Sequence, residues 1–164
     1  MTENEINHIF QTWLKQYKAL LFKIVRSYAF NEEDRDDLFQ EIAIQVWRSV
    51  ASFKQQSAVT TWLYRVALNT AIKWTTKERK HQDRHESIDV SQHIIESHQP
   101  PDDRLAWLYE EIAQLNEVDR SLTLLLLDGF SYREMSKILG ISESNVGVKI
   151  NRIKKHLTTK SEKS

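Results

Sequence analysis

The chain contains no cysteine, so disulfides, thiol redox switching and cysteine-ligated zinc are excluded. Glycine and proline are nearly as scarce. Three glycines in 164 residues are too few for a protein full of tight hairpin turns, and the two prolines stand together at Pro100 and Pro101. No apolar run approaches the length of a membrane span. The start, Met1 to Asn7, is polar and acidic and lacks the charged-then-apolar pattern of a secretion signal. A cytoplasmic globular protein is the expectation. A Gly-rich phosphate loop is also missing, which with the absent cysteine nucleophile argues against an enzyme.

Net charge is the last absence: 23 Lys and Arg balance 23 Asp and Glu. The balance hides an uneven distribution. Residues 1–80 hold 12 basic against 9 acidic side chains, residues 81–103 hold 1 against 6, and residues 104–164 hold 10 against 8. Two basic blocks therefore flank an acidic one. The middle block has little apolar periodicity and holds both prolines, which reads as a linker. The expectation is an all-α chain of two small helical domains, 1–80 and 104–164, joined by an acidic linker over 81–103.

Apolar residues at Ile9, Trp13, Tyr17, Leu20, Ile24 and Tyr28 predict one long amphipathic helix over 6–29. Further helices fit 34–50, 59–79, 104–115, 118–128, 132–139 and 143–158. The last two form the most informative stretch. Ser131 and Glu134 have the spacing of a capping box, and Met135, Ile138 and Leu139 then face inward. Gly140 suits the left-handed residue that ends a helix, Ile141 fills the corner, and Ser142 or Ser144 can cap the next helix. On that helix Val146, Ile150, Ile153 and Leu157 make a narrow apolar stripe. The opposite face carries Ser144, Asn145, Val148, Arg152 and Lys155, groups able to meet base edges, a thymine methyl or phosphate. An ordinary αα-hairpin with a solvated basic face is the blander alternative.

The first domain carries two unusual surfaces. On the helix near Asp34, Leu38, Phe39, Ile42, Ala43, Val46 and Val50 share a buried face. The other side holds Asp36, Asp37, Gln40, Glu41 and Arg48 with apolar Ile44 among them and Trp47 at its border. An apolar residue set among acids suggests a protein-docking surface. Acids complementing the helix dipole would explain Asp34, Asp36 and Asp37, but not Ile44 or Glu41. On the helix near 60–80, Leu63, Val66, Ala67, Thr70 and Trp74 face the core. A second stripe holds Trp62, Arg65, Asn69, Lys73, Thr76 and Lys80, the mixture of ring, amide and cation that suits single-stranded nucleic acid. A solvated basic face with Trp62 half-buried is the competing reading. The polar loop from Phe53 to Val59 has the composition to line a pocket for an extruded base. His81 and His85, near Asp83 and Glu86, could be written as a metal site, but nothing there would hold the ligands in place, so no metal or cofactor is expected.

In this order the parts resemble a bacterial RNA polymerase sigma factor of the extracytoplasmic-function (ECF) group. "DRDDLFQEIAIQVW" (34–47) resembles the part of region 2 that clamps the polymerase β′ coiled coil. "TWLYRVALNTAIKWTTKERK" (61–80) resembles the part that melts and reads the minus-ten element, and residues 115–157 resemble region 4, which reads the minus-thirty-five element. The resemblance implies a non-catalytic initiation subunit. Its partners would be RNA polymerase core, through the β′ clamp and β flap, promoter DNA, and a membrane-linked anti-sigma factor. It implies core binding by Asp36, Asp37, Gln40, Glu41, Ile44 and Trp47, and minus-ten binding by Trp62, Arg65, Asn69, Lys73 and Lys77. Ser144, Asn145, Val148, Lys149, Arg152 and Lys155 would bind the minus-thirty-five duplex, with Asn145 and Arg152 on bases and Lys149 and Lys155 on phosphate.

Departures from the family pattern are few: Ser136 for a usual alanine, Asn116 for a proline, Val59 for an aromatic. Gly147 lies inside the recognition helix, where it costs about 1 kcal/mol relative to alanine and would allow close approach to DNA. Two other classes stay open. An autonomous helix-turn-helix repressor would bind duplex tightly without polymerase, as a dimer on paired half-sites. A helical adaptor would show featureless salt dependence in any DNA assay.

Overall fold

A computed structural model describes residues 1–84 and 103–163, with side chains over 1–78 and 103–162. The described residues form eight helices and no strand: α1 (Glu3–Gln16), α2 (Lys18–Tyr28), α3 (Glu32–Val50), α4 (Val59–Arg84), α5 (Asp103–Gln114), α6 (Glu117–Leu127), α7 (Tyr132–Leu139) and α8 (Glu143–Lys163). They divide into two compact units, α1–α4 and α5–α8. Of the expected linker over 81–103, residues 81–84 belong to α4 and Asp103 starts α5; residues 85–102, with both prolines and with His85 and Glu86 of the histidine cluster, lie outside the described residues. Helix α4 continues to Arg84, beyond the expected 79, because no glycine or proline interrupts it.

The expected single helix over 6–29 is two helices. Tyr17 leaves helical geometry at φ −109°, ψ 23°, although its N–H still reaches the Trp13 carbonyl at 2.8 Å. Across this break the buried stripe shifts by one position: Leu21, not Leu20, is buried with Ile24, Val25 and Tyr28. The break lets α1 pack on α3 while α2 packs on both α3 and α4. Helix α4 is likewise rotated from expectation. Tyr64, Leu68 and Ala71 join Leu63, Ala67 and Trp74 in the core, whereas Val66 and Thr70 are only half-buried. The stripe is broader because α4 is packed from two sides, by α2 and α3. At roughly 1.5–3 kcal/mol for each fully buried aliphatic side chain, this stripe is the main stabilising surface of the first unit.

One local device occurs in both units. Asn31 caps α3 by accepting the Asp34 N–H at 2.8 Å, and its amide donates to the Asp34 carboxylate at 2.9 Å. Asn116 caps α6 in the same way with Asp119, at 2.9 and 3.1 Å. The following arginine reaches back in each case. Arg35 Nε donates to the Ala29 carbonyl just past α2, and Arg120 Nη2 donates to the Ala113 and Leu115 carbonyls at the end of α5. A cation at a helix C-terminus meets both orphan carbonyls and the negative end of the dipole. Burial, then the neighbouring Arg26, lowers the Arg35 pKa from its usual value. The sequences that do this are Asn31-Glu-Glu-Asp-Arg35 and Asn116-Glu-Val-Asp-Arg120.

In the second unit α6 is buried almost all round, with Leu122, Leu124 and Leu125 inaccessible, and α7 and α8 pack against it. The Ser131 capping box forms: Ser131 Oγ accepts the Glu134 N–H at 3.1 Å and Glu134 accepts the Ser131 N–H at 2.9 Å. These bonds hold the Glu134 carboxyl below its ordinary pKa. The box is thus complete at neutral pH and is lost only as pH falls through that depressed value.

Candidate polymerase and nucleic-acid surfaces

The turn between α7 and α8 is built as expected. Gly140 ends α7 with φ +72°, a region that side chains resist. Ser142, rather than Ser144, caps α8 by accepting the Asn145 N–H at 3.1 Å. Ser136 donates its hydroxyl to the Ile141 carbonyl at 2.5 Å, so the residue that replaces alanine ties down the corner. Val146, Ile150 and Ile153 are buried and Leu157 half-buried. That leaves Ser144, Asn145, Val148, Arg152 and Lys155 exposed on the far side, with Val148 63 % accessible. Lys149 sits at the border, half-buried. Asn151, also exposed, lies on the same face, one turn beyond Val148 and one before Lys155. Sequence reading missed it, although the helical period placed it there.

Arg152, expected on a base, carries a contact that α8 alone does not show: its Nη2 lies 3.1 Å from the Asp119 carboxylate on α6. The expectation weighed α8 alone and so could not see a partner 33 positions away in the sequence.

Gly147 faces the ring of Tyr132 on α7. A methyl group added there would meet that ring at 3.7 Å, an ordinary contact, and the backbone is not left-handed. Gly147→Ala should therefore stabilise the second unit by roughly 0.5–1 kcal/mol and raise its melting temperature by a few degrees. Thermal denaturation followed by circular dichroism measures this; a lower melting temperature would mean the α7–α8 crossing has no room for the methyl group.

In the first unit the two expected surfaces share an edge. A groove of about 640 Å³ runs between α3 and α4. Its α4 wall carries Trp62, Arg65, Asn69, Lys73 and Lys77, and its α3 wall carries Asp37, Glu41 and Arg48. Two indoles bridge the walls: Trp62 Nε1 donates to Ser49 Oγ at 3.1 Å, and Trp74 Nε1 donates to Asp37 Oδ2 at 2.8 Å. Asp37 and Glu41 thus belong to the groove that also holds the minus-ten candidates. The loop glutamines, Gln55 and Gln56, do not line it. Trp62 is half-buried, its ring 5.4 Å from that of Phe53, which itself meets Trp13 edge-on. Asn69 donates its amide to the Arg65 carbonyl at 2.8 Å. Arg65, Lys73 and Lys77 are exposed.

Clear of the groove, Asp36, Gln40, Ile44 and Trp47 form one exposed line along α3. Ile44 is 45 % and Trp47 38 % accessible. Trp47 Nε1 donates to Asn7 Oδ1 at 2.7 Å, which fixes the ring at the α1 border. Among the described residues no helix is long and apolar enough to cross a membrane, and no cluster could hold a metal ion.

A helical unit with a charged groove, followed by a helix-turn-helix unit, is an architecture compatible with a DNA-binding transcription protein. Residues 13–81 match the family model for sigma-70 region 2, and residues 105–157 match that for sigma-70 region 4. The chain is 27 % identical over 164 residues to the ECF RNA polymerase sigma-E factor of Haemophilus influenzae, spanning 92 % of this chain and 86 % of that one. It is 26 % identical over 170 residues to the ECF sigma factor SigX of Bacillus subtilis, spanning 94 % and 84 %. Its fold is similar to that of the sigma factor RpoE of Bartonella quintana, solved with the anti-sigma factor NepR. The TM-score is 0.70 at 20 % identity, over 92 % of this chain and 94 % of that one. The chain belongs to the sigma-70 family of RNA polymerase sigma factors, in the extracytoplasmic-function group. It is accordingly a factor that directs RNA polymerase to promoters in transcription initiation, and the autonomous repressor is not favoured.

Proposed function

We propose that three surfaces divide this work. The α3 line of Asp36, Gln40, Ile44 and Trp47, flanked by Asp37 and Glu41, docks on polymerase core at its β′ clamp. The α4 wall of the groove, with Arg65, Lys73 and Lys77 as the accessible cations, holds the melted minus-ten strand. The exposed face of α8, with Ser144, Asn145, Val148, Lys149, Asn151, Arg152 and Lys155, lies in the minus-thirty-five duplex, and its unit meets the β flap. The observation that carries the reading is the α8 face: polar, apolar and cationic side chains stand together opposite the buried stripe of Val146, Ile150 and Ile153. That mixture suits a major groove, where donors, acceptors and thymine methyls alternate.

The protein acts by binding, without a catalytic step or cofactor, and works in the cytoplasm where promoters are. An anti-sigma factor is a further proposed partner, supported by the related Bartonella quintana fold having been solved with one. Reconstitution tests the whole. Core polymerase with this chain should give transcripts from a promoter that has both elements and lose them when either element is scrambled. Tight duplex binding without core, as a dimer on paired half-sites, would instead return the reading to a repressor.

A further inference from the structure

The Asp119–Arg152 pair joins a buried group to an exposed one. The Asp119 side chain is 8 % accessible, whereas that of Arg152 is 59 % accessible. Asp119 needs no arginine to do its work at the helix start. Asp34 occupies the equivalent place in α3, closes the same box with Asn31, and pairs with no cation among the described residues. The Arg152 contact is therefore an addition to the cap, found only where the cap faces the recognition helix.

The geometry points to Asp119 as a positioning residue for minus-thirty-five recognition, a deepening that rests on α8 entering that duplex. Only Nη2 of Arg152 is engaged, at 3.1 Å from Oδ2 and 3.4 Å from Oδ1. Among the described residues Nη1 and Nε make no hydrogen bond, so these donors stay available, on a side chain that is itself 59 % accessible. An arginine has five donors in a planar fork, and anchoring one nitrogen restrains where the others can reach. The anchor is itself rigid. Asn116 donates to Oδ2 of Asp119 at 3.1 Å and accepts from its backbone N–H, while Thr123 Oγ1 donates to the Asp119 carbonyl at 2.8 Å. A chain Asn116–Asp119–Arg152 thus runs from the start of α6 to the DNA face. A long side chain held in its binding pose loses less conformational entropy when it meets a guanine or a phosphate. Geometry fixed by a supporting layer favours the one base that matches it.

The test uses the full chain in holoenzyme, on promoter duplexes randomised over the minus-thirty-five element. Asp119→Asn should reduce discrimination about tenfold at a single base pair and leave the other positions as they were. Arg152→Ala should lose discrimination at that same base pair, and the double variant should lose no more than either alone. Arg152→Lys keeps the charge and leaves the cap untouched, so it decides the matter if Asp119→Asn unfolds: it too should lose the preference. Val148→Asp is the control for the α8 face and should abolish minus-thirty-five dependence. If Val148→Asp has no effect, the placement of α8 in the duplex fails, and this proposal fails with it. If Val148→Asp acts while folded Asp119→Asn or Arg152→Lys keeps full discrimination, the pair only fastens α6 to α8 and this proposal alone is overturned.

Discussion

Ile44→Lys should weaken binding of polymerase core by about thirtyfold and leave the melting temperature of the first unit almost unchanged. The size follows from what a central apolar contact contributes to a protein interface, about 2 kcal/mol when truncated or charged. The neutrality toward folding follows from exposure. Ile44 is 45 % accessible and points away from the stripe of Leu38, Ile42, Val46 and Val50, which is buried to 2 % or less. Surface substitutions of that kind shift stability by no more than about 0.5 kcal/mol. Asp37→Arg is the less useful variant, although Asp37 belongs to the same expected core-binding set. Asp37 accepts the Trp74 indole N–H at 2.8 Å, so replacing it would strand a buried donor and open the α3–α4 groove. Trp47→Ala has a similar defect, since its indole holds Asn7 of α1. A fluorescence titration of labelled protein with core, paired with a melting curve, separates the outcomes. Core affinity within twofold of wild type would remove Ile44 from the interface, and with it the α3 line as the docking face.

The contrast between these variants shows what could be read from the sequence. The exposed stripe of α3 and the polar face of α8 follow from a single helix and its period, and both faces are exposed as expected. The helix-turn-helix was equally legible, because Ser131, Glu134, Gly140 and Ser142 each act on backbone within a few residues. Contacts between helices were not legible. The Asp37–Trp74 bond spans 37 positions and the Arg152–Asp119 pair 33, and no periodicity carries such information. The break at Tyr17 was hidden for a related reason: Leu20 and Leu21 are both leucine, so the one-position shift of the buried stripe leaves no mark in the sequence, and only the change of packing partner from α1 to α2 requires it. One signal was present and unread. The pentapeptides Asn31–Arg35 and Asn116–Arg120 share Asn, Glu, Asp and Arg at the same places, and they mark the two helix starts where an arginine reaches back to the preceding helix.

Arg65→Ala and Lys73→Ala should each lower open-complex formation by about tenfold while leaving closed-complex binding near that of wild type. Charge-assisted contacts to phosphate are worth roughly 1.5–3 kcal/mol each, and both cations stand exposed on the α4 wall of the groove. The opposite wall carries Asp37 and Glu41, which disfavour a phosphate lying deep in the groove. On the proposed reading the strand's phosphates would follow the α4 rim, and loss of each cation should flatten the salt dependence of strand binding by about 0.7 per contact removed. These cations give a cleaner test than Trp62, the ring first expected to stack on a base. Trp62 packs on Phe53 and donates to Ser49, so Trp62→Ala would loosen the α3–α4 connection as well as remove a stacking surface. Trp62→Phe keeps a ring in place and should retain most of the activity. Permanganate reactivity of unpaired thymines reports the open complex, and a gel-shift assay at low temperature reports the closed one. A template with a premelted bubble should partly rescue Arg65→Ala and Lys73→Ala, because the unstacking energy has already been met. Equal loss of closed and open complexes, or no rescue by the bubble, would show that the groove does not hold a single strand. The cations of α4 would then be a solvated face, and minus-ten recognition would have to be sought elsewhere on the first unit.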